Sequence, residues 1–106
     1  MDVASAVQRA PAGRPHIIFV VLDTQRWDRM GFMGYPRGTT PNLDRFAATA
    51  TVYEQAIAPA QWTIPSHASM FTGEPPTVHG TLQSNDVLPS SFTTLAEHLT
   101  RAGYVT

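Results

Sequence analysis

The sequence from Gln61 to Gly73, QWTIPSHASMFTG, predicts a turn that leads directly into a short helix. Pro65 suits a first helical turn, because the N–H that proline lacks would have had no partner there. Hydroxyl groups of Thr63, Ser66 and Ser69 gather near the backbone N–H groups of a helix start, which is where anions bind. The glycine at the end of the stretch supplies a left-handed stop. We therefore interpret Thr63 as a nucleophile that the surrounding residues position.

Length and composition indicate a globular protein. The chain has 106 residues, of which 42% are apolar and 14% charged, and this balance argues against disorder. A net charge of −1 gives no sign of a nucleic-acid or membrane-surface partner. The sequence contains no cysteine, which excludes disulfides, thiolate metal sites and cysteine nucleophiles.

The N-terminal residues carry no recognisable targeting signal. Residues 1–15 lack the apolar core of a signal peptide, and the longest apolar run, Ile17 to Leu22, is too short to span a bilayer. We expect a flexible tail over residues 1–15, one domain over residues 16–106, and a cytoplasmic location.

Strand-like and helix-like segments alternate in that domain. Residues 16–22 are continuously apolar, as in a strand buried on both faces, and residues 51–57 alternate as a short strand does. Residues 74–80 have the composition of a turn. Residues 104–106 resemble the opening of another buried strand, which suggests a truncated domain.

Two further helices are predicted from their ends. Thr40 and Pro41 form a helix start, with threonine as the cap and proline at the first helical position. A last helix is expected to be capped by Ser91 or Thr93 and to end at Gly103.

Asp23 and Thr24 follow the first predicted strand directly. Open α/β sheets bind ligands at the carboxyl ends of their strands, so the pair is a candidate site. Both residue types are also good helix caps, and position alone does not decide between these interpretations.

The loop over residues 25–38 is rich in glycine and also contains charged residues. It could cover a site or lie on the surface. The surface interpretation is favoured for Arg29, and both interpretations stay open for Arg26 and Asp28.

An ordered set of motifs resembles the N-terminal part of the sulfatase family, within the alkaline phosphatase superfamily. The resemblance covers Pro15 to Thr106 and rests on Asp23-Thr24, TPNLD at residues 40–44, TIPSHASMFTG at residues 63–73, His79-Gly80, TLAEHL at residues 94–99 and Gly103-Tyr104.

The resemblance implies an α/β sandwich with a large, mostly parallel sheet and an active site at the strand ends. It implies one or two divalent metal ions, Mn²⁺, Zn²⁺, Ca²⁺ or Mg²⁺, held by acidic residues. Asp23 matches a metal ligand of the family, and Thr63 matches both the nucleophile and a ligand.

Thr63 is a departure from the family pattern. In sulfatases this position is a cysteine or serine that is oxidised to formylglycine, whereas oxidation of a threonine would give a ketone. We therefore expect no formylglycine. A phospho-threonine intermediate can be hydrolysed in line by water. This favours phosphate or phosphonate esters over sulfate esters as the expected substrate.

His67 and Thr24 are further departures. His67 stands where the family has an active-site arginine; it could hydrogen-bond a substrate oxyanion or shuttle a proton, or it could pack on its own helix. Thr24 stands where many relatives have a second aspartate, and a hydroxyl is a poorer ligand than a carboxylate. Of the other histidines, His79 is interpreted as a support for the site loop, with a ligand role as the less favoured alternative, and His98 as a surface residue.

The sequence therefore predicts a metal-dependent hydrolase of small-molecule phosphate or sulfate esters, with no nucleic-acid or membrane partner. The rest of the metal shell is expected outside this chain, so the 106 residues alone should be inactive. The alternative is a catalytically dead fragment, or a binding module that keeps only the first strands of the fold.

Overall fold

The computed structural model describes residues 13–106. The predicted N-terminal tail therefore lies mostly outside the described residues. Two compact units are present: the described residues up to Val20 together with Pro59–Thr106 form the first, and Val21–Ala58 form the second.

Helices provide the regular structure of the described residues. They are α1 (Pro41–Ala47), α2 (Thr63–Thr72), α3 (Pro76–His79) and α4 (Leu95–Arg101), with two short 3₁₀ turns at Trp27–Arg29 and Gly31–Met33. None of the helices within residues 13–106 is long and apolar enough to cross a membrane.

The first unit is organised by α2, which packs against both α3 and α4. The helix ends at Gly73, whose φ of 76° is left-handed, as predicted. The chain then turns into α3, which ends at Gly80 with a φ of 69°. The side chains buried here belong mainly to α2 and to the residues at and after the end of α3: Pro65, Ala68, Ser69, His79 and Thr81. The small core of this unit is thus largely polar.

The second unit joins α1 to the 3₁₀ turn at Gly31–Met33. The Thr40 hydroxyl accepts a hydrogen bond from the Gly31 N–H and donates one to Asp44 Oδ1, each at 2.9 Å. Asp44 Oδ1 also accepts from the Phe32 N–H at 3.0 Å. A Cβ at Gly31 would lie 2.7 Å from the Asp44 carboxyl carbon, so any other residue here would have to displace that carboxylate.

The predicted strands do not form a sheet among residues 13–106, where no strand is assigned. In the segment predicted as a strand buried on both faces, residues 16–22, the apolar residues 17–22 are 38% to 85% exposed. A strand needs a neighbour for its backbone hydrogen bonds and a layer to cover each apolar face, and the described residues supply neither. The α/β class with a parallel sheet stays a prediction.

The helix starts agree with the sequence in part. Helix α1 begins at Pro41 with Thr40 as its N-cap residue, as predicted, but the Thr40 side chain makes no capping bond. Helix α4 is capped by Thr94, so the prediction of Ser91 or Thr93 is wrong. Glu97 decides the position of the cap, because a threonine three residues before a glutamate completes a reciprocal capping box. Residues 76–79, predicted as part of a turn, form α3, with proline in the first turn and glycine after the end.

Candidate functional site

The start of α2 carries the predicted nucleophile. The helix begins at Thr63, and the residue before it, Trp62, has extended backbone angles and makes no side-chain capping bond. The Ser66 N–H donates to the Trp62 carbonyl at 3.3 Å, the first bond of the helical pattern. Pro65 lies at the third helical position, where an N–H would have no acceptor within the helix. The turn that leads into a helix is confirmed.

Thr63 and His67 lie one helical turn apart, and the structure brings these two predicted site residues onto one face of α2. Both side chains are half-buried. The His67 ring lies 6.1 Å from the Phe71 ring, one turn further along. This contact is the one expected if His67 packs on its own helix, while its place beside Thr63 fits the active-site interpretation. Its role stays a prediction.

Ser69 does not lie with the other hydroxyl groups at the helix start. Its Oγ lies 3.0 Å from Nε2 of His79, and the serine is buried. The Nδ1 atom of His79 accepts from the Thr81 N–H, also at 3.0 Å. Ser69 therefore does not belong with Thr63 and Ser66 among the predicted anion-binding hydroxyls. Its contact with a residue ten positions later has no local sequence signal.

Asp23 and Thr24 form the corner of a tight turn, in which the Gln25 N–H donates to the Leu22 carbonyl at 3.3 Å. Thr24 has a φ of 58°, which places a β-branched residue in the left-handed region. Such a conformation costs about 1–3 kcal/mol and is most often found at functional sites. Asp23 is exposed, and both residues belong to the second unit, whereas Thr63 and His67 belong to the first.

Three charged residues of the 25–38 loop, Arg26, Asp28 and Arg29, lie close together at the surface. The Arg26 guanidinium donates to both carboxylate oxygens of Asp28, at 2.9 and 2.7 Å. This hydrogen bonding lowers the pKa of Asp28 and raises the pKa of Arg26. The Arg29 guanidinium lies 5.0 Å from the centre of the Tyr35 ring. These contacts match the surface interpretation of the loop.

A complete metal site is not assembled by the described part of the chain. Residues 13–106 contain no group of three or more histidine, aspartate or glutamate side chains placed to hold an ion. Asp23 and Thr63 offer oxygen donors, which hard divalent cations prefer, but such ions take about six or more ligands. The oxygen donors are of the kind that a divalent cation binds, but they are too few to complete its coordination.

Sequence similarity identifies the family. The Sulfatase family profile matches residues 15–106. The chain is 33% identical to arylsulfatase A of Bos taurus, with 100% of this chain and 22% of the relative aligned. It is 33% identical to arylsulfatase A of Homo sapiens (98% of this chain, 22% of the relative) and 30% identical to an ulvan-active sulfatase of Formosa agariphila (98% and 20%). No solved structure matches the chain. The chain thus spans 20–22% of the length of these relatives, and it belongs to the sulfatase family.

Proposed function

We propose that the full-length gene product containing this chain is a metal-dependent ester hydrolase in which Thr63 is the nucleophile. The observation that carries the proposal is the start of α2: Thr63 is its first residue, His67 follows one turn later, and the N-cap residue supplies no capping side chain.

This geometry suits transfer of an anionic group. A helix start presents backbone N–H groups and the positive end of the helix dipole to an anion. Such fixed donors stabilise the negative charge that builds on the oxygens around sulfur or phosphorus during attack. The Thr63 oxygen would form a bond to that atom while the bond to the leaving alcohol breaks. Water would then hydrolyse the threonine ester and regenerate the hydroxyl.

His67 is proposed to act on the transferred group from the same helix face. A neutral imidazole can donate one hydrogen bond, and an imidazolium can donate two. Either form could hold a non-bridging oxygen, and the charged form could pass a proton to the leaving oxygen. The permanent forked cation of an arginine is not available here.

Asp23 and Thr63 are proposed as metal ligands, with the remaining ligands supplied from outside residues 1–106. A divalent ion held by these residues would favour the alkoxide of a ligating hydroxyl and would offset charge on the transferred group. Since the described residues fall short of a full ligand set, we expect the 106-residue chain by itself to be inactive.

Phosphate esters are the favoured substrate class, because a threonine cannot become formylglycine and its phosphate ester can be hydrolysed by water. Sulfate esters are the second candidate, favoured by the sulfatase names of the relatives. A small-molecule ester is the expected substrate in both cases.

A substrate comparison tests the proposal. The full-length gene product would be assayed with nitrophenyl sulfate, nitrophenyl phosphate and bis-nitrophenyl phosphate, each with added Mn²⁺, Zn²⁺, Ca²⁺ or Mg²⁺. We expect turnover of a phosphate ester and none by the 106-residue chain. Cleavage of the sulfate ester alone would refute the threonine argument. Inactivity toward all three esters with every metal would favour the non-catalytic binding module.

A further inference from the structure

His79 is the most deeply buried histidine of the described residues, and the proposed chemistry does not use it. It is the last residue of α3 and is 2% exposed. Both of its hydrogen-bonding neighbours are also buried: Ser69 is 8% exposed and Thr81 is 4% exposed. Among residues 13–106, no buried side-chain nitrogen or oxygen is without a hydrogen-bond partner. The ring is thus held at both nitrogens, away from solvent.

The hydrogen bonds assign the tautomer of this ring. The Thr81 backbone N–H can only donate, so Nδ1 of His79 must accept and carries no proton. A neutral imidazole has one N–H, which is then on Nε2 and points to Ser69 Oγ, 3.0 Å away. A proton on Nδ1 would place two donors against each other in a buried position, which is costly.

The contact between His79 and Ser69 lies on a side of α2 that faces away from the candidate site. At 3.6 residues per turn, Ser69 lies about 120° around the helix from Thr63 and about 160° from His67. It lies six residues after Thr63, about 9 Å along the axis. The bond from His79 therefore holds α2 on a different side from the one that Thr63 and His67 share.

We propose that His79 is a positioning residue for Thr63. As a neutral ring protonated on Nε2, it bonds Ser69 and fixes the rotation and axial position of α2, and hence the place of the Thr63 hydroxyl. The hydrogen-bond assignment stands by itself, whereas the effect on turnover rests on the proposed function. Because a misplacement of about 1 Å can cost about 10²-fold in rate, a single buried bond is enough to matter.

Two substitutions separate the two bonds of the ring. His79→Asn keeps an acceptor near the place of Nδ1 for the Thr81 N–H and loses the bond to Ser69. His79→Gln can place an amide N–H near the place of Nε2 and keep the bond to Ser69. Ser69→Ala removes the acceptor and leaves the Nε2–H buried without a partner, and Ser69→Thr retains a hydroxyl. His98→Asn, an exposed histidine on α4, is the matched control.

The experiment combines steady-state kinetics on the full-length gene product with ¹⁵N NMR of the histidine ring and hydrogen exchange. We expect Ser69→Ala and His79→Asn to lower kcat by about 10- to 100-fold with little change in KM. We expect His79→Gln and Ser69→Thr to recover most of that loss, and His98→Asn to have no effect. The His79 resonances should show a proton on Nε2 and none on Nδ1, and Ser69→Ala should raise amide exchange over residues 63–67.

Three results would overturn the inference. A protonated Nδ1 would refute the tautomer, and unchanged exchange in a folded Ser69→Ala protein would refute the positioning of α2. An unchanged kcat in that variant would refute the effect on Thr63. Inactivity of the unaltered protein toward every ester would instead refute the proposed function, and NMR and exchange would still decide the role of His79.

Discussion

Helices α4 and α2 begin in opposite ways. At α4, the Thr94 hydroxyl accepts from the Glu97 N–H at 3.4 Å, and the Glu97 carboxylate accepts from the Thr94 N–H at 2.7 Å. The start of α4 is thus closed by its own side chains. At α2, Trp62 occupies the same position with an extended backbone and makes no capping bond. The helix that carries Thr63, the proposed nucleophile, therefore begins without a capping bond from the side chain of its N-cap residue.

We expect the largest effect on activity from removing the Thr63 hydroxyl at the start of α2. Thr63→Val keeps the shape of the side chain and removes its oxygen, so kcat/KM of the full-length gene product should fall by at least about 10²–10³-fold. Thr63→Ser keeps the oxygen and should retain part of the activity. The measurement is turnover of the preferred nitrophenyl ester, with melting temperature as the check on folding. A Val variant as active as the unaltered protein would exclude Thr63 as the nucleophile.

A substitution at Trp62 can give the start of α2 a capping bond like the one at the start of α4. Trp62 has φ and ψ of −148° and 168°, the backbone region of an N-cap, so a serine there could accept from the Ile64 N–H, since Pro65 has none. Trp62→Ser should be more stable to urea than Trp62→Ala by about 0.5–2 kcal/mol, and it should bind inorganic phosphate more weakly. Comparison with alanine cancels the loss of the indole. Equal stability and equal phosphate binding would mean that the start of α2 is already closed.

Features encoded within one helical turn were predictable from the sequence. Pro65 and Gly73 located the start and end of α2, and Thr40 with Pro41 located α1, because caps and stops depend on adjacent residues. The cap of α4 was placed too early, although Thr94 and Glu97 have the capping-box spacing.

Features that join distant residues were not predictable. Nothing near Ser69 indicates a partner ten residues later, because the contact depends on how α3 folds back on α2. The strand-like character of residues 16–22 is a side-chain pattern, whereas a strand also needs a hydrogen-bonding neighbour, which residues 13–106 do not supply. The strained backbone of Thr24 likewise has no signal in the residue type, since threonine rarely adopts a positive φ.

We expect the smallest effect from the capping bonds of α4, which can be tested through the pH dependence of stability. Hydrogen bonds from the Thr94 backbone N–H and hydroxyl lower the pKa of Glu97 from its ordinary 4.5. Because the pKa is lower in the folded state, the carboxylate contributes stability that is fully present above the unfolded pKa and is lost as pH falls through the folded value. Glu97→Gln can still accept from Thr94 but does not titrate, so the free energy of unfolding of this variant should fall less steeply below about pH 4.5.

The measurement is urea denaturation of the unaltered protein and the variant from pH 7 to pH 3. Asp28 and Asp86, whose pKa values are also lowered, contribute equally to both and cancel in the difference. Parallel curves for the two proteins would show that the Glu97 carboxylate does not close α4 in solution.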